Sequence, residues 1–225
     1  MNKQIKTILP LAALAGLAVS ANAAVTSIDF DSGNGVQSGE PTHTQGMTLP
    51  GQVGPWYTLT NPGSGNTASV TMGDVTFRMN TNEVANSWYK HTSNVLREDF
   101  FYLNDGQGPA NWELTGLTPN GIYDIICYGR YDPNYGGYRG GGMSVNGGTV
   151  QTKDNGKDTD TTINEGDWNF ANVQADGAGK IYGSLSHIDD GFAEFGGIQF
   201  ELVPEPSTTA LLGLGGLALI LRRRK

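Results

Sequence analysis

Between residues 25 and 202, apolar side chains recur at every second position in short runs that are separated by Gly, Asn, Asp and Pro. Such alternation places one face of an extended strand in a core and the other in water. No 3.6-residue pattern persists in this region for a dozen positions, so long helices are not expected. Strands are predicted over residues 25–30, 53–60, 68–79, 95–103, 112–117, 122–130, 143–150, 168–175, 180–186 and 192–202.

About ten short strands divided by turn residues are typical of an all-β sandwich or barrel. Leu117-x-Pro119-x-x-x-Tyr123, with Asn120-Gly121 in the turn, has the spacing of the tyrosine corner of immunoglobulin-like and fibronectin type III sandwiches. It equally resembles the Gly-Leu-x-Pro-x-x-x-Tyr turn of galactose-binding-like jelly rolls. Since about 180 residues exceed one fibronectin module and can bury one core, we expect a single jelly-roll β-sandwich over residues 24–203.

The first 23 residues have the order of a secretory signal peptide. Lys3 and Lys6 give a positive start, residues 9–19 are a short apolar stretch, and Ala21-Asn22-Ala23 is a small-x-small cleavage site. A membrane-spanning helix is the less favoured alternative, because the apolar stretch is short and ends in a cleavage motif. We expect signal peptidase to cut after this site.

The C-terminal end combines three features in order. Pro204-Glu205-Pro206 is followed by the uncharged residues 207–221 and then by Arg222, Arg223, Arg224 and Lys225. A helix over the uncharged stretch would span roughly 22 Å, less than the ~30 Å hydrocarbon core of a bilayer. The basic cluster favours the cytoplasmic side of the membrane, which places the preceding domain outside the inner membrane.

This order resembles the PEP-CTERM sorting signal of Gram-negative bacteria, over residues 204–225. In that family the membrane enzyme exosortase cleaves near the Pro-Glu-Pro motif and delivers the protein outward, and such systems usually accompany exopolysaccharide production. Residues 195–202 also resemble the last strand that precedes this signal in many such proteins. The resemblance implies a transient inner-membrane anchor and a final place on the outer surface or in the extracellular matrix. An ordinary C-terminal anchor predicts the same topology without cleavage.

Removal of both ends leaves a strongly acidic domain. Of the 14 Lys and Arg residues, two lie in the leader and four in the tail, and one of the 22 Asp and Glu residues lies in the Pro-Glu-Pro motif. Residues 24–203 therefore carry 8 positive and 21 negative side chains, a net charge of −13. Such a domain repels polyanions, so nucleic acid is excluded as a partner. The single cysteine, Cys127, excludes an internal disulfide and is expected to be a buried packing residue.

No catalytic residue is assigned. His43, His91 and His187 are widely spaced, and neither a metal-binding His pair nor a Gly-x-Ser-x-Gly elbow occurs in the sequence. Glu98-Asp99 and Asp189-Asp190 are carboxylate pairs, and a glycosidase needs two carboxyl groups across a cleft. A carbohydrate-active enzyme that uses a carboxylate pair is therefore an alternative function.

Calcium is the one cofactor that the sequence suggests. Asp154, Asp158 and Asp160 bring three carboxylates into one loop, and hard cations prefer oxygen ligands. The loop departs from the EF-hand pattern, because its glycine lies between the first two Asp residues and no Glu follows at the required distance. A solvated acidic loop is the competing interpretation.

A glycine-rich loop that follows a predicted core strand is the candidate for glycan binding. Its relevant residues are Arg130, Tyr131, Tyr135, Tyr138 and Arg139. Tyr rings pack on the C–H groups of sugars, while Arg and Asp hydrogen-bond to hydroxyl groups; alternatively, the rings pack on the edge of the sandwich. The leading hypothesis is a non-enzymatic surface protein that binds, or is embedded in, extracellular polysaccharide. A purely structural matrix protein is a further alternative.

Overall fold

The computed structural model describes residues 25–31, 56–60, 66–80, 86–89, 99–104, 106–129, 140–154, 167–188 and 193–204. Residues 22–203 form one compact unit. Within the described ranges, no helix has the length and apolar character needed to cross a membrane.

The described chain is all β, as the alternating pattern predicts. Its strands are β1 (Thr26–Asp31), β2 (Trp56–Thr60), β3 (Thr67–Met72), β4 (Val75–Asn80), β5 (Asn86–Tyr89), β6 (Asp99–Leu103), β7 (Ala110–Thr115), β8 (Ile122–Gly129), β9 (Gly140–Val145), β10 (Gln151–Asp154), β11 (Trp168–Gln174), β12 (Ile181–His187) and β13 (Ala193–Leu202).

The strand predicted over residues 68–79 is in fact a hairpin. β3 and β4 pair along their length and are joined by Gly73-Asp74, where Gly73 has a φ of 62°. The apolar alternation changes phase at this point, from even positions up to Met72 to odd positions such as Phe77, and this change indicates a turn. The four-residue strands β5 and β10 also lie outside the predicted strands, because such short segments carry little periodicity.

The strands form two sheets that pack face to face as a β-sandwich. The seven-stranded sheet has the order β11-β8-β13-β1-β2, and β6 pairs with the start of β13 and carries β5 on its other side. The six-stranded sheet has the order β10-β9-β12-β7-β4-β3. β1 and β2 are parallel. The predicted all-β sandwich is confirmed, and the jelly-roll resemblance stays a prediction.

One hydrophobic core lies between the sheets, and aromatic rings from both sheets meet in it. From the seven-stranded sheet, Phe30 stacks on Phe101 with ring centroids 5.0 Å apart and meets Phe195 edge-on at 4.6 Å. Phe30 also lies 5.5 Å from Phe77 of the six-stranded sheet, which in turn stacks on Trp112 at 5.9 Å. Aromatic pairs of this geometry add about 0.5–1.5 kcal/mol each to the gain from burial, so this cluster ties the two layers together.

Cys127 of β8 lies in this core as a free, fully buried thiol. Burial, and secondarily the negative charge of Asp167, raise the pKa of the thiol well above its ordinary value. A thiol that stays protonated is a poor nucleophile. The expectation of a buried packing residue is confirmed.

The predicted tyrosine corner is present between β7 and β8. The backbone N–H of Thr118 donates to Tyr123 Oη at 2.9 Å, and Asn120 adopts a positive φ of 58° in the turn. Leu117 N–H donates to the carbonyl of Gly179 at 3.0 Å, so this turn is bonded to the one between β11 and β12. Short, mutually bonded turns therefore close this end of the sandwich.

Candidate functional site

Most of the site residues predicted from the sequence lie outside the described residues. These are Arg130, Tyr131, Tyr135, Tyr138, Arg139, Asp158, Asp160, Ala21, Ala23, Glu205, Pro206, Arg222, Arg223, Arg224 and Lys225, together with Glu98, Asp189 and Asp190 of the carboxylate pairs. Asp154 is the last residue of β10, and Pro204 is the second residue after the end of β13.

Strand register shows where the Tyr- and Arg-rich segment and the acidic segment are attached. The first leaves β8 after Gly129 and enters β9 at Gly140. The second leaves β10 after Asp154, which pairs with Gly140, and ends before Trp168, which pairs with Cys127 of β8. The attachment points of both segments therefore lie at one end of the sandwich, opposite the tyrosine corner. Among the side chains that the structure describes, no group of three His, Cys, Asp or Glu residues is placed to hold a metal ion, and the calcium site stays a prediction.

A groove of about 580 Å³ crosses the outward face of the six-stranded sheet. It spans four neighbouring strands, β3, β4, β7 and β12, and its volume lies within the ~300–1,000 Å³ of typical ligand sites. The side chains that line it are exposed or half-buried and carry hydrogen-bonding groups: Thr67, Arg78, Asn80, Asn111, Glu113, Lys180 and Tyr182.

Alternation along each strand brings these side chains to one face. In β4, Phe77 and Met79 are fully buried in the core. Arg78, which lies between them, and Asn80, which follows them, are exposed. Glu113 of β7 likewise lies between two core residues. The polar face of the groove is therefore a direct consequence of the period-two pattern that buries the opposite face.

Glu113 lies at the centre of the groove. In register it stands opposite Arg78 on one neighbouring strand and Tyr182 on the other, and side chains directly opposite each other are close enough to interact. Its carboxylate forms an ion pair with Lys180. Two cationic side chains, Arg78 and Lys180, line the groove.

Tyr182 presents an aromatic ring to solvent from a fixed position. Half of its surface is exposed (50 %). Its N–H donates to Asn146 Oδ1 at 3.1 Å, and its carbonyl accepts the Asn146 N–H at 2.8 Å. Asn146, which has a φ of 50°, also donates from Nδ2 to the carbonyl of Gln174 at 2.8 Å. Hydrogen bonds between Asn146 and both backbone groups of Tyr182 therefore fix the backbone that carries the exposed ring.

Two buried residues, Trp112 and Gly183, also line the groove where β7 meets β12. Gly183 and Trp112 pair in register and are both buried toward the core. A Cβ on Gly183 would lie 2.1 Å from Cζ2 of Trp112, so the indole occupies the space of the missing side chain. Trp112 Nε1 donates to Met143 Sδ at 3.2 Å. Glycine at this position lets a large ring pack against the inner side of the strand.

At its centre, the outward face of the seven-stranded sheet is buried and has a structural role. Tyr128 Oη donates to Gln199 Oε1 at 2.6 Å, and Gln199 Nε2 donates to Ser27 Oγ at 2.9 Å. Glu194 is buried opposite Tyr102 in register; burial and then this carboxylate raise the pKa of the Tyr102 hydroxyl. The side chains of Tyr128, Gln199 and Ser27 are at most 1 % exposed. Their polar groups therefore form hydrogen bonds with each other and do not reach a ligand.

The end of β13 coincides with a sequence signal. Residues 202–225 match the PEP-CTERM protein-sorting motif. The sorting signal predicted from Pro204-Glu205-Pro206 is therefore confirmed, and its match begins at Leu202, the last residue of β13. The motif implies processing by an exosortase-type enzyme, with export and membrane-associated sorting in Gram-negative bacteria.

Other similarities are distant. No curated protein matches the chain in sequence. Solved structures that resemble it include the protein YXIM of Bacillus subtilis, at 10 % identity and a TM-score of 0.42, over 80 % of this chain and 40 % of that one. The ANX2 ectodomain of Arabidopsis thaliana has 9 % identity and a TM-score of 0.43, over 80 % and 50 % of the two chains. The CBM22-1 xylan-binding domain of Paenibacillus barcinonensis Xyn10C has 10 % identity and a TM-score of 0.32, over 61 % and 86 %. The chain spans less than half of YXIM, and likenesses this distant carry no conclusion about function.

Proposed function

We propose that this chain is an exported, non-enzymatic protein of the cell surface or extracellular matrix that binds extracellular polysaccharide through the groove of its six-stranded sheet. One observation carries the proposal: the exposed ring of Tyr182 stands beside ionic and amide hydrogen-bonding groups on a rigid sheet. A flat ring for sugar C–H groups and a few fixed polar groups for hydroxyls are the features that sugar binding requires. The resemblance to PEP-CTERM proteins supports the setting, since their sorting systems usually accompany exopolysaccharide production.

The proposal includes the removal of both ends. Signal peptidase cuts after Ala23, and an exosortase-type enzyme cuts near Pro204-Glu205-Pro206. The remaining domain, with its net charge of −13, stays soluble outside the cell. Arg130, Tyr131, Tyr135, Tyr138 and Arg139 are a second proposed contact with glycan.

The composition of the groove favours binding over cleavage. Among the described side chains that line it, Glu113 is the one carboxylate, and it is ion-paired with Lys180. Glycoside hydrolysis needs two carboxyl groups about 5–10 Å apart, one of them able to donate a proton. Release of reducing sugar from the polysaccharide by the purified protein, abolished by a single Asp or Glu substitution, would establish the enzyme alternative instead.

The test is binding of the exported protein, recovered from its host, to the polysaccharide of that host. Tyr182→Ala removes the exposed ring, and we expect the dissociation constant to rise about tenfold, equivalent to ~1.4 kcal/mol. Thr152→Ala is the matched control, because Thr152 is exposed on β10 of the same sheet and does not line the groove. Thermal unfolding of both variants verifies that they remain folded.

A third variant distinguishes binding by the groove from binding by the Tyr- and Arg-rich loop. If Tyr135→Ala combined with Tyr138→Ala abolishes binding while Tyr182→Ala leaves it unchanged, the loop and not the groove is the site. If the wild-type protein binds no polysaccharide at all, the binding function is wrong and a purely structural matrix role remains.

A further inference from the structure

The dimensions and charges of the groove define its ligand more narrowly, in an inference that rests on the proposed function. We infer that the groove takes an interior segment of a linear, uncharged polysaccharide, which lies across the strands. Two independent observations support this: the groove extends over several strands, and it belongs to a strongly acidic domain.

The groove is long relative to a single sugar ring. β3, β4, β7 and β12 are consecutive in the sheet, and strands ~4.8 Å apart place the first and last of them about 14 Å apart. Polar side chains line it from Thr67 on β3 to Tyr182 on β12. Contacts at both extremes need a ligand of several units, because a single ring that touches Tyr182 does not reach Thr67.

The groove also lacks the enclosure that a pocket for a chain end has. Thr67 and Asn80 on the two outermost strands of one side are exposed, as is Asn111 on β7, and Tyr182 on β12 is half exposed. β3 is the last strand of the sheet on its side, so within the described structure no further strand closes the groove there. A linear chain can therefore enter and leave, with its units continuing beyond the contacts.

The charge of the domain favours an uncharged ligand. Glu113 is ion-paired with Lys180, so a carboxylate on the ligand would compete with Glu113 for that cation. The net charge of −13 on residues 24–203 outweighs the single excess positive charge of the groove and repels an anionic polymer. The other groups, Thr hydroxyl and Asn amide, both donate and accept hydrogen bonds, which suits sugar hydroxyls.

The experiment uses the exported protein and fragments of its host's extracellular polysaccharide, produced by partial hydrolysis and separated by length and charge. We expect the uncharged fragments to bind, with an affinity that rises about tenfold or more from the single sugar to oligomers and then levels off. The anionic fragments are tested before and after chemical reduction of their carboxyl groups, which removes the charge and keeps the backbone. Reduction should strengthen their binding.

Two variants at opposite extremes of the groove test whether one ligand contacts both extremes. Tyr182→Ala and Thr67→Ala should both weaken binding of the long oligomers, whereas at most one of them should affect the shortest oligomer that binds. Thr152→Ala again serves as the control on the same sheet.

The outcomes separate this inference from the proposed function. Equal affinity for a single sugar and a long oligomer would show a pocket for a chain end, and tighter binding of the anionic than of the carboxyl-reduced fragments would show an acidic ligand; either result overturns the inference and leaves polysaccharide binding intact. Absence of binding to every fragment and to the intact polymer overturns the proposed function itself.

Discussion

At Gly183, one methyl group is enough to disturb the core beneath the groove. An added Cβ would lie 2.1 Å and 2.2 Å from two ring carbons of Trp112, so the indole, which donates a hydrogen bond to Met143 Sδ, must shift. Overpacking of this kind costs about 1–3 kcal/mol. We expect Gly183→Ala to lower the free energy of unfolding by about 2 kcal/mol in a denaturant titration.

Gly177→Ala is the matched control, because nothing lies within 4 Å of the added methyl group and the backbone has no positive φ there. Its effect should be close to zero. Equal unfolding free energies for the two variants would contradict the packing of Trp112 against Gly183.

A second prediction concerns the contribution of one atom, the hydroxyl oxygen of Tyr123 in the tyrosine corner, to stability. Tyr123→Phe removes the acceptor of the Thr118 N–H bond and keeps the ring in the core, so we expect a loss of about 1 kcal/mol. Tyr182→Phe removes a hydroxyl from a ring that is half exposed and should leave stability unchanged. The unfolding midpoints of the two variants in urea check this; a midpoint for Tyr123→Phe equal to that of the wild type would refute the stabilising role of the corner.

At the scale of strands, β8 and β13 bring two like charges together. Glu201 stands opposite Asp124 in register, and burial, followed by the charge of Asp124, raises the pKa of the Glu201 carboxyl. A carboxyl whose pKa is higher in the folded state than in the unfolded state destabilises the fold when it is ionised, and this penalty disappears as the pH falls through the raised pKa.

Glu201→Gln should therefore stabilise the protein at neutral pH, by on the order of 0.5 kcal/mol for a cross-strand pair. The gain should vanish in acid, where the wild-type carboxyl is protonated. Thermal unfolding of the wild type and the variant across this pH range measures the difference; a gain that persists unchanged in acid would rule out titration of Glu201 as its cause.

Strand content was predictable from the sequence because burial at every second position is a local property. For the hairpin of β3 and β4, alternation alone predicts one strand over residues 68–79, although the phase change after Met72 marks the turn. The groove was not predictable in the same way, since it depends on which strands are neighbours. Arg78, Glu113 and Tyr182 are far apart in the sequence, and only the pairing of β4, β7 and β12 puts them in one row.

At the scale of the whole molecule, the fold and the sorting motif meet at β13. This strand pairs with β8 and β1 on its two sides, and the carbonyl of Ile122 still accepts a hydrogen bond from Val203 N–H at 2.7 Å. Cleavage near Pro204-Glu205-Pro206 therefore removes no residue of the sheet. We expect a chain that ends at Val203 to unfold at the same temperature as the domain in the longer chain.

A chain that ends at Gln199 is the comparison for this truncation. It lacks Phe200, which is buried in the core and paired with Ile125, and it should be strongly destabilised or unfolded. Similar melting temperatures for the two truncated chains would mean that the end of β13 contributes little to the fold.

The intact mass of the protein recovered from outside the cell tests the central claim most directly, namely that this sandwich works outside after losing both ends. We expect the mass of a chain that starts at Ala24 and ends near the Pro-Glu-Pro motif, with any attached group seen as a discrete addition. Recovery of the unprocessed 225-residue chain from the cytosol, with none outside, would contradict the claim.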